Sequence, residues 1–164
     1  MKILVLSDSH ASLSFMRSCV EAVKPDAMIH LGDHYDDGEA LQEMYPHIRL
    51  TQVPGNCDRY RTPPGVPEIL VTRVLGVDLY LTHGHRHNVK MYTGKLIRDA
   101  QACGVQAVLY GHTHQAECYE HEGMWVMNPG SCGFYGGTAG IIEVNAGEIL
   151  DCRIVDQRAL EEMV

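Results

Sequence analysis

The sequence predicts an α/β fold built as a layered sandwich. Strand-like and helix-like runs alternate through its first half, and strands joined by short turns dominate its second half. Several apolar runs are continuous, as strands covered on both faces require. The length of 164 residues suits a single domain over 1–164, with no repeat, low-complexity segment or linker to divide it.

The elements follow in order. Ile3 to Leu6 is a short apolar strand. Ser12 is placed to cap a helix whose apolar positions, Leu13, Met16, Val20 and Val23, recur at helical spacing until Pro25 stops it. Ala27 to Leu31 reads as a strand, Gly38 to Tyr45 as a short helix closed by Pro46, and Ile48 to Val53 as a third strand. Residues 54–67 carry four prolines and two glycines and read as a loop. Ile69 to Val74 and Val77 to Leu81 form a hairpin around Leu75-Gly76. Met91 to Cys103 is a helix with Gly104 past its end. Strands follow at Gln106 to Tyr110, Ala116 to His121, Met124 to Met127, Gly140 to Val144 and Ile149 to Val155. The turn Asn145-Ala146-Gly147 joins the last two, and residues 156–164 are a short helix or a frayed tail.

Composition narrows the function. Hydrophobic residues at 45% and charged residues at 21% give an ordinary globular profile. A net charge of −8 argues against a general nucleic-acid surface, which needs a basic face. It leaves room for an anionic substrate, because bound metals reverse the local sign. The apolar run before Asp8 is too short for a secretory signal, and no stretch reaches the length of a membrane span. The six cysteines form no C-x-x-C pair, so the expectation is free thiols in a reducing cytoplasm.

Ten histidines are informative through their placement. Five apolar runs each lead into residues able to bind a metal: Asp8 and His10, Asp33, Asn56, His83 with His85, and His112 with His114. In an open α/β sheet, ligands bind beyond the carboxyl ends of the strands, so five such ends can converge. In extended chain, residues two apart point the same way, which lets Asp8 and His10 share a target, as it does His112 and His114. Each motif alone is weak, since a single histidine is more often structural and Gly-Asn-Cys-Asp reads equally as a turn. Their joint arrangement is hard to explain without a metal. Carboxylate, imidazole and amide oxygen, without thiolate, favour manganese, iron, zinc, cobalt or nickel.

The sequence resembles a calcineurin-like metallophosphoesterase of the small YfcE-like branch. The resemblance rests on Asp8-Ser9-His10, Gly32-Asp33, Gly55-Asn56-Cys57-Asp58, Thr82-His83-Gly84-His85, Gly111-His112-Thr113-His114 and Asn128-Pro129-Gly130-Ser131. It implies a four-layer α/β/β/α sandwich. It also implies two divalent ions, manganese first with zinc, iron, nickel or cobalt as alternatives. Asp8, His10 and His114 would hold one, Asn56, His83 and His112 the other, and Asp33 would bridge them. The implied reaction is hydrolysis of a small phosphodiester by a hydroxide bridging the metals. Asn56, Asp58, His83 and His85 are the expected catalytic groups, with Asp58 orienting a ligand histidine. Alternatives are a phosphomonoesterase or nucleotide phosphatase, or a protein-binding scaffold like the related retromer subunit. Relatives also suggest a homodimer or larger homo-oligomer.

Two departures stand out. Cys57 occupies the position where many phosphatases have a histidine that protonates the leaving group. Residues 132–137 replace a Pro-Arg pair found in close relatives. Arg59, Arg61 and Arg86 follow motif loops and are read first as solvated arginines, second as phosphate contacts. His30, His34, His47, His87 and His121 are read as structural or surface residues.

Overall fold

Alternation within single strands sorts the core into layers. The computed structural model describes residues 1–164. In β1 (Lys2–Leu6), Ile3 and Val5 enter one apolar cluster while Leu4 and Leu6 enter another. The same split recurs in β5 (Val77–Thr82), where Leu79 and Leu81 face the first cluster and Tyr80 a third. Each of these strands is therefore covered on both faces.

Two five-stranded sheets follow from this. The first runs β10 (Glu148–Asp156), β9 (Thr138–Asn145), β1, β2 (Ala27–His30) and β3 (Arg49–Gln52). The second runs β4 (Ile69–Val74), β5, β6 (Ala107–Leu109), β8 (Met124–Asn128) and β7 (Glu117–His121). Between them lie Ile3, Ile29, Leu79, Leu109, Met127 and Ile142. Helices α1 (Leu13–Val23) and α2 (Tyr35–Met44), together with α4 (Gln157–Glu161), contribute to the cluster on the outer face of the first sheet. Helix α3 (Gly94–Ala102) covers the second sheet through Leu96, Ile97 and Ala100. The architecture is the expected α/β/β/α sandwich. No helix is long and apolar enough to cross a membrane.

Strand direction positions the site. β1, β2 and β3 are parallel neighbours in one sheet, and β5, β6 and β8 are parallel neighbours in the other. The loops after β1, β2, β3, β5 and β6 carry Asp8, Asp33, Asn56, His83 and His112. The backbone ties these loops together, with Asp8 N–H donating to Gly32 O at 2.9 Å and Gly111 N–H to His83 O at 2.9 Å.

Local details differ from expectation. α2 begins at Tyr35 rather than Gly38, because the Asp58 carboxylate accepts the Tyr35 N–H at 3.0 Å and caps the helix from a distant loop. α3 begins at Gly94 rather than Met91, and the preceding residues form turns that leave Met91 and Tyr92 exposed. Ser12 stands at the start of α1 without a side-chain capping bond. The Leu75-Gly76 hairpin forms as expected, both residues having positive φ (49° and 86°), as the right-handed twist of the flanking strands favours.

His30 is fully buried at the end of β2. Gly32 N–H donates to its Nδ1 at 3.3 Å, leaving the neutral ring's proton on Nε2, 2.9 Å from Ser9 Oγ. Burial pushes its pKa from 6.5 down to about 4. The folded value lies below the unfolded one, so this stability is present above about pH 6.5 and is lost as pH falls toward about 4. In chelator-treated protein, unfolding stability should fall across that window. His30→Gln should flatten the fall by up to about 3 kcal/mol in urea titrations. An unchanged slope in the variant would contradict this role.

Candidate metal centre

Asp8 and Asp33 are almost completely buried, with 0% and 3% exposure. Each has one oxygen held by protein donors. Asp8 Oδ2 accepts Ser7 O–H at 2.6 Å and His112 N–H at 3.1 Å. Asp33 Oδ1 accepts Cys57 N–H at 3.0 Å. Their other oxygens face imidazoles. Asp8 Oδ1 is 3.1 Å from His114 Nε2 and 3.7 Å from His83 Nε2. Asp33 Oδ2 is 3.5 Å from His83 Nε2 and 3.9 Å from His10 Nε2.

These spacings test whether a cation fits. His83 Nδ1 donates to Leu31 O at 2.8 Å, so a neutral His83 presents a bare lone pair on Nε2. That Nε2 and His10 Nε2 are buried without a hydrogen-bond partner. At 3.5–3.9 Å their carboxylate neighbours are too distant for good hydrogen bonds. Donors bound to one cation at about 2.1 Å stand roughly 3.0–3.4 Å apart, near the closer spacings here. Two donor groups result, Asp8-His10-His114 and Asp8-Asp33-His83. The residues fit divalent ions.

Electrostatics treats the imidazoles unequally. Burial lowers the His10 pKa against the opposing pull of Asp33 and Asp8. Burial, with His83 and Lys90 nearby, pushes His112 down to about 4, so it is neutral at pH 7. Burial alone would lower His83, but the nearby carboxylates of Asp33 and Asp8 raise it. Burial would raise Asp33, yet His83 and the Cys57 N–H hold it well below the usual carboxylate range.

The loops reach this geometry in unusual backbone. Asp8, His10, Asp33, His112 and His114 all have positive φ, between 43° and 72°. Non-glycine residues hold such conformations where surrounding contacts fix them. Asn128 Nδ2 donates to Gly111 O and Thr113 Oγ1, both at 3.0 Å, and Ser131 O–H donates to Asp8 O at 2.7 Å. This is what the Asn-Pro-Gly-Ser segment does. At Gly111, a Cβ would lie 2.1 Å from Ser7 Oγ and 2.6 Å from Asp8 Oδ2, so only glycine lets this loop close on the carboxylate.

Placement of the other sequence candidates is uneven. The His112 ring lies 5.0 Å from that of His83, and exposed Asn56 sits beside Cys57, at the rim. Asp58 orients no ligand histidine by hydrogen bonding. It is fully buried and accepts backbone N–H groups of Asp33, Gly55 and Tyr35 at 2.8–3.0 Å, which makes it a clamp between two loops. His85 lies 3.5 Å from Glu68 and forms no ion pair with Asp8 or Asp33, so the geometry favours His83 as ligand. His87 is structural, with Nε2 3.1 Å from Tyr80 Oη and 3.2 Å from Asp99. His34 lies at the rim, 5.1 Å from the His10 ring. Sequence reasoning missed Ser7 and the packing of Phe134, which stacks on His114 at 5.1 Å and lies 5.0 Å from His10. Nothing local marked either residue.

A profile described as the calcineurin-like phosphoesterase superfamily domain matches residues 1–149. The chain belongs to that superfamily. It is 29% identical over 133 residues to a probable metallophosphoesterase of Mycoplasma pneumoniae, covering 79% of this chain and 78% of that one. It is 26% identical over 166 residues to a protein named phosphodiesterase in Methanocaldococcus jannaschii, covering 90% and 96%. Among solved structures, a predicted phosphoesterase from Streptococcus pneumoniae superposes with TM-score 0.74 at 26% identity, covering 96% and 90%. Vacuolar Protein Sorting 29 from Cryptosporidium parvum shares the fold, with TM-score 0.70 at 16% identity, covering 95% and 98%. Metallophosphoesterases are phosphoester hydrolases that use divalent metal ions, which fits the donor groups described above.

Metal titration separates the two neighbouring histidines. His83→Asn should weaken Mn(II) binding by at least about tenfold, while His85→Asn stays close to wild type in calorimetry. The reverse pattern would move the ligand assignment to His85.

Proposed function

We propose that the protein is a binuclear, metal-dependent phosphodiesterase acting on small phosphodiesters, with manganese as the first candidate metal. One observation carries the binuclear reading. Two adjoining donor groups, Asp8-His10-His114 and Asp8-Asp33-His83, share Asp8, and Asp33 Oδ2 lies 3.5 Å from His83 Nε2 and 3.9 Å from His10 Nε2, next to both. By the family resemblance, Asp33 would bridge. Asp8, His10 and His114 would complete one position, and Asn56, His83 and His112 the other.

Bound ions would supply acidified water as nucleophile and positive charge for the phosphoryl oxygens. The protein's own residues organise that chemistry. The Ser7 hydroxyl and His112 N–H turn Asp8 so that Oδ1 faces the centre. Cys57 N–H does the same for Asp33 Oδ2, while Asp58 fixes the Asp33 backbone. The Leu31 carbonyl orients the His83 ring. Exposed Asn56 can offer its oxygen to a cation and its N–H groups to a phosphoryl oxygen. His85, whose Nε2 lies 3.5 Å from Glu68, would be a candidate to protonate the leaving group.

The name of the archaeal relative supports diester over monoester substrates. A scaffold role has weaker support, since the likeness to Vacuolar Protein Sorting 29 is one of fold.

Manganese-loaded enzyme should hydrolyse bis-p-nitrophenyl phosphate faster than p-nitrophenyl phosphate. A faster monoester rate would sink the diester preference. Asn56→Ala and His112→Ala should each lower kcat/KM on the diester by about 10²–10³-fold. Undiminished hydrolysis in both variants would place the activity elsewhere.

A further inference from the structure

A cleft of about 650 Å³ opens beside the metal centre, between the loop of residues 54–68 and the 3₁₀ turn His85–His87. Asn56 and His85 form the wall it shares with the centre. Its volume suits a nucleotide-sized group and exceeds what a single nitrophenyl ring needs. Val66 and three prolines, Pro54, Pro63 and Pro64, supply apolar surface, and most of the other lining residues are polar or charged.

The charges are arranged unevenly. Arg61 is engaged outside the cleft by Asp36 and by the Cys57 carbonyl. Arg86 lines the cleft with its Nε on Glu68, and Glu68 also lies 3.5 Å from His85 Nε2. One carboxylate therefore holds both Arg86 and His85 in place. Arg59 lines the cleft with no such carboxylate partner, its guanidinium 5.6 Å from the Tyr60 ring centroid. Asp58, the other acid of the lining, is turned to the backbone by its three N–H donors. In a protein of net charge −8, Arg59 is thus the one guanidinium of the lining without a carboxylate partner.

Hydrogen bonds also brace the wall. Arg61 and Thr62 N–H donate to Asp58 O at 2.9 and 3.1 Å, Thr62 Oγ1 donates to the same oxygen at 3.0 Å, and Pro63-Pro64 follows. A preformed site avoids the entropy cost of ordering a loop around its ligand.

We propose that this cleft holds one ester arm of the substrate and selects arms carrying a second anionic group of phosphate type, with Arg59 as the specificity residue. This rests on the phosphodiesterase reading above and names its substrate class. Phosphate matches the cleft because guanidinium groups donate in a planar fork to its oxygens.

The test compares dithymidine monophosphate with the same dimer carrying a terminal phosphate at either end. Initial rates are measured with manganese-loaded enzyme and products are resolved by chromatography. One terminally phosphorylated dimer should show kcat/KM about tenfold above the plain dimer. Arg59→Ala should remove most of that preference, Arg59→Lys should keep part of it, and the plain dimer should change less than about twofold. Equal kcat/KM for all three dimers, or a preference undiminished in Arg59→Ala, would overturn the proposal. So would hydrolysis of bis-p-nitrophenyl phosphate with no dimer cleaved. Binding distinguishes this from failure of the diesterase reading. By calorimetry, thymidine 3′,5′-bisphosphate should bind about tenfold tighter than thymidine 3′-phosphate or thymidine 5′-phosphate, and Arg59→Ala should abolish the difference. If that holds while no diester is cleaved, the cleft assignment stands and the diesterase reading falls. If the bisphosphate gains nothing, the cleft assignment falls whatever the enzyme cleaves.

Discussion

Two carboxylates, Asp8 and Asp33, are buried where the carboxyl ends of two sheets meet, and ionised groups withdrawn from water require compensating positive charge. The surrounding side chains supply it incompletely. His10 and His83 point ring nitrogens at the carboxylates, yet at spacings that leave the nitrogens without hydrogen bonds. A pair of divalent cations would resolve all of these unmet demands together. The acids and the imidazole lone pairs become comprehensible as one electrostatic unit.

That unit imposes its terms on the backbone. Its loops hold five candidate donors, Asp8, His10, Asp33, His112 and His114, in left-handed conformations and are tied to one another by side chains that hydrogen-bond carbonyls and amides. Asp58 clamps the Asp33 and Gly55 loops within the first sheet's end. Asn128 and Ser131 perform the matching task from the end of β8, reaching the Gly111 and Asp8 loops. His83 crosses between sheets to Leu31 O. The sandwich core brings the strand ends near each other, and these polar contacts set the final positions of the donors.

Much of this was legible in the sequence because the information was local. Continuous apolar runs announced covered strands, and Leu75-Gly76 announced a hairpin. The candidate donors followed apolar runs at spacings that backbone geometry can interpret. What stayed hidden depended on distant contacts. The start of α2 is set by Asp58, more than twenty residues further on, so Gly38 looked like the better beginning. Asp58 resembled a partner for histidine, although the donors it meets are three backbone N–H groups whose positions only the fold decides. Phe134 lies in a segment that departs from the expected Pro-Arg pair, and its stacking on His114 has no periodic signature.

Whether Asp33 joins two cations at this junction is tested most directly by crystals grown with manganese and measured on both sides of the manganese absorption edge. Two anomalous peaks are expected with an Asp33 carboxylate in contact with both, one flanked by His10 and His114 and the other by His83. A single peak, or two peaks that do not share Asp33, would contradict a bridging Asp33.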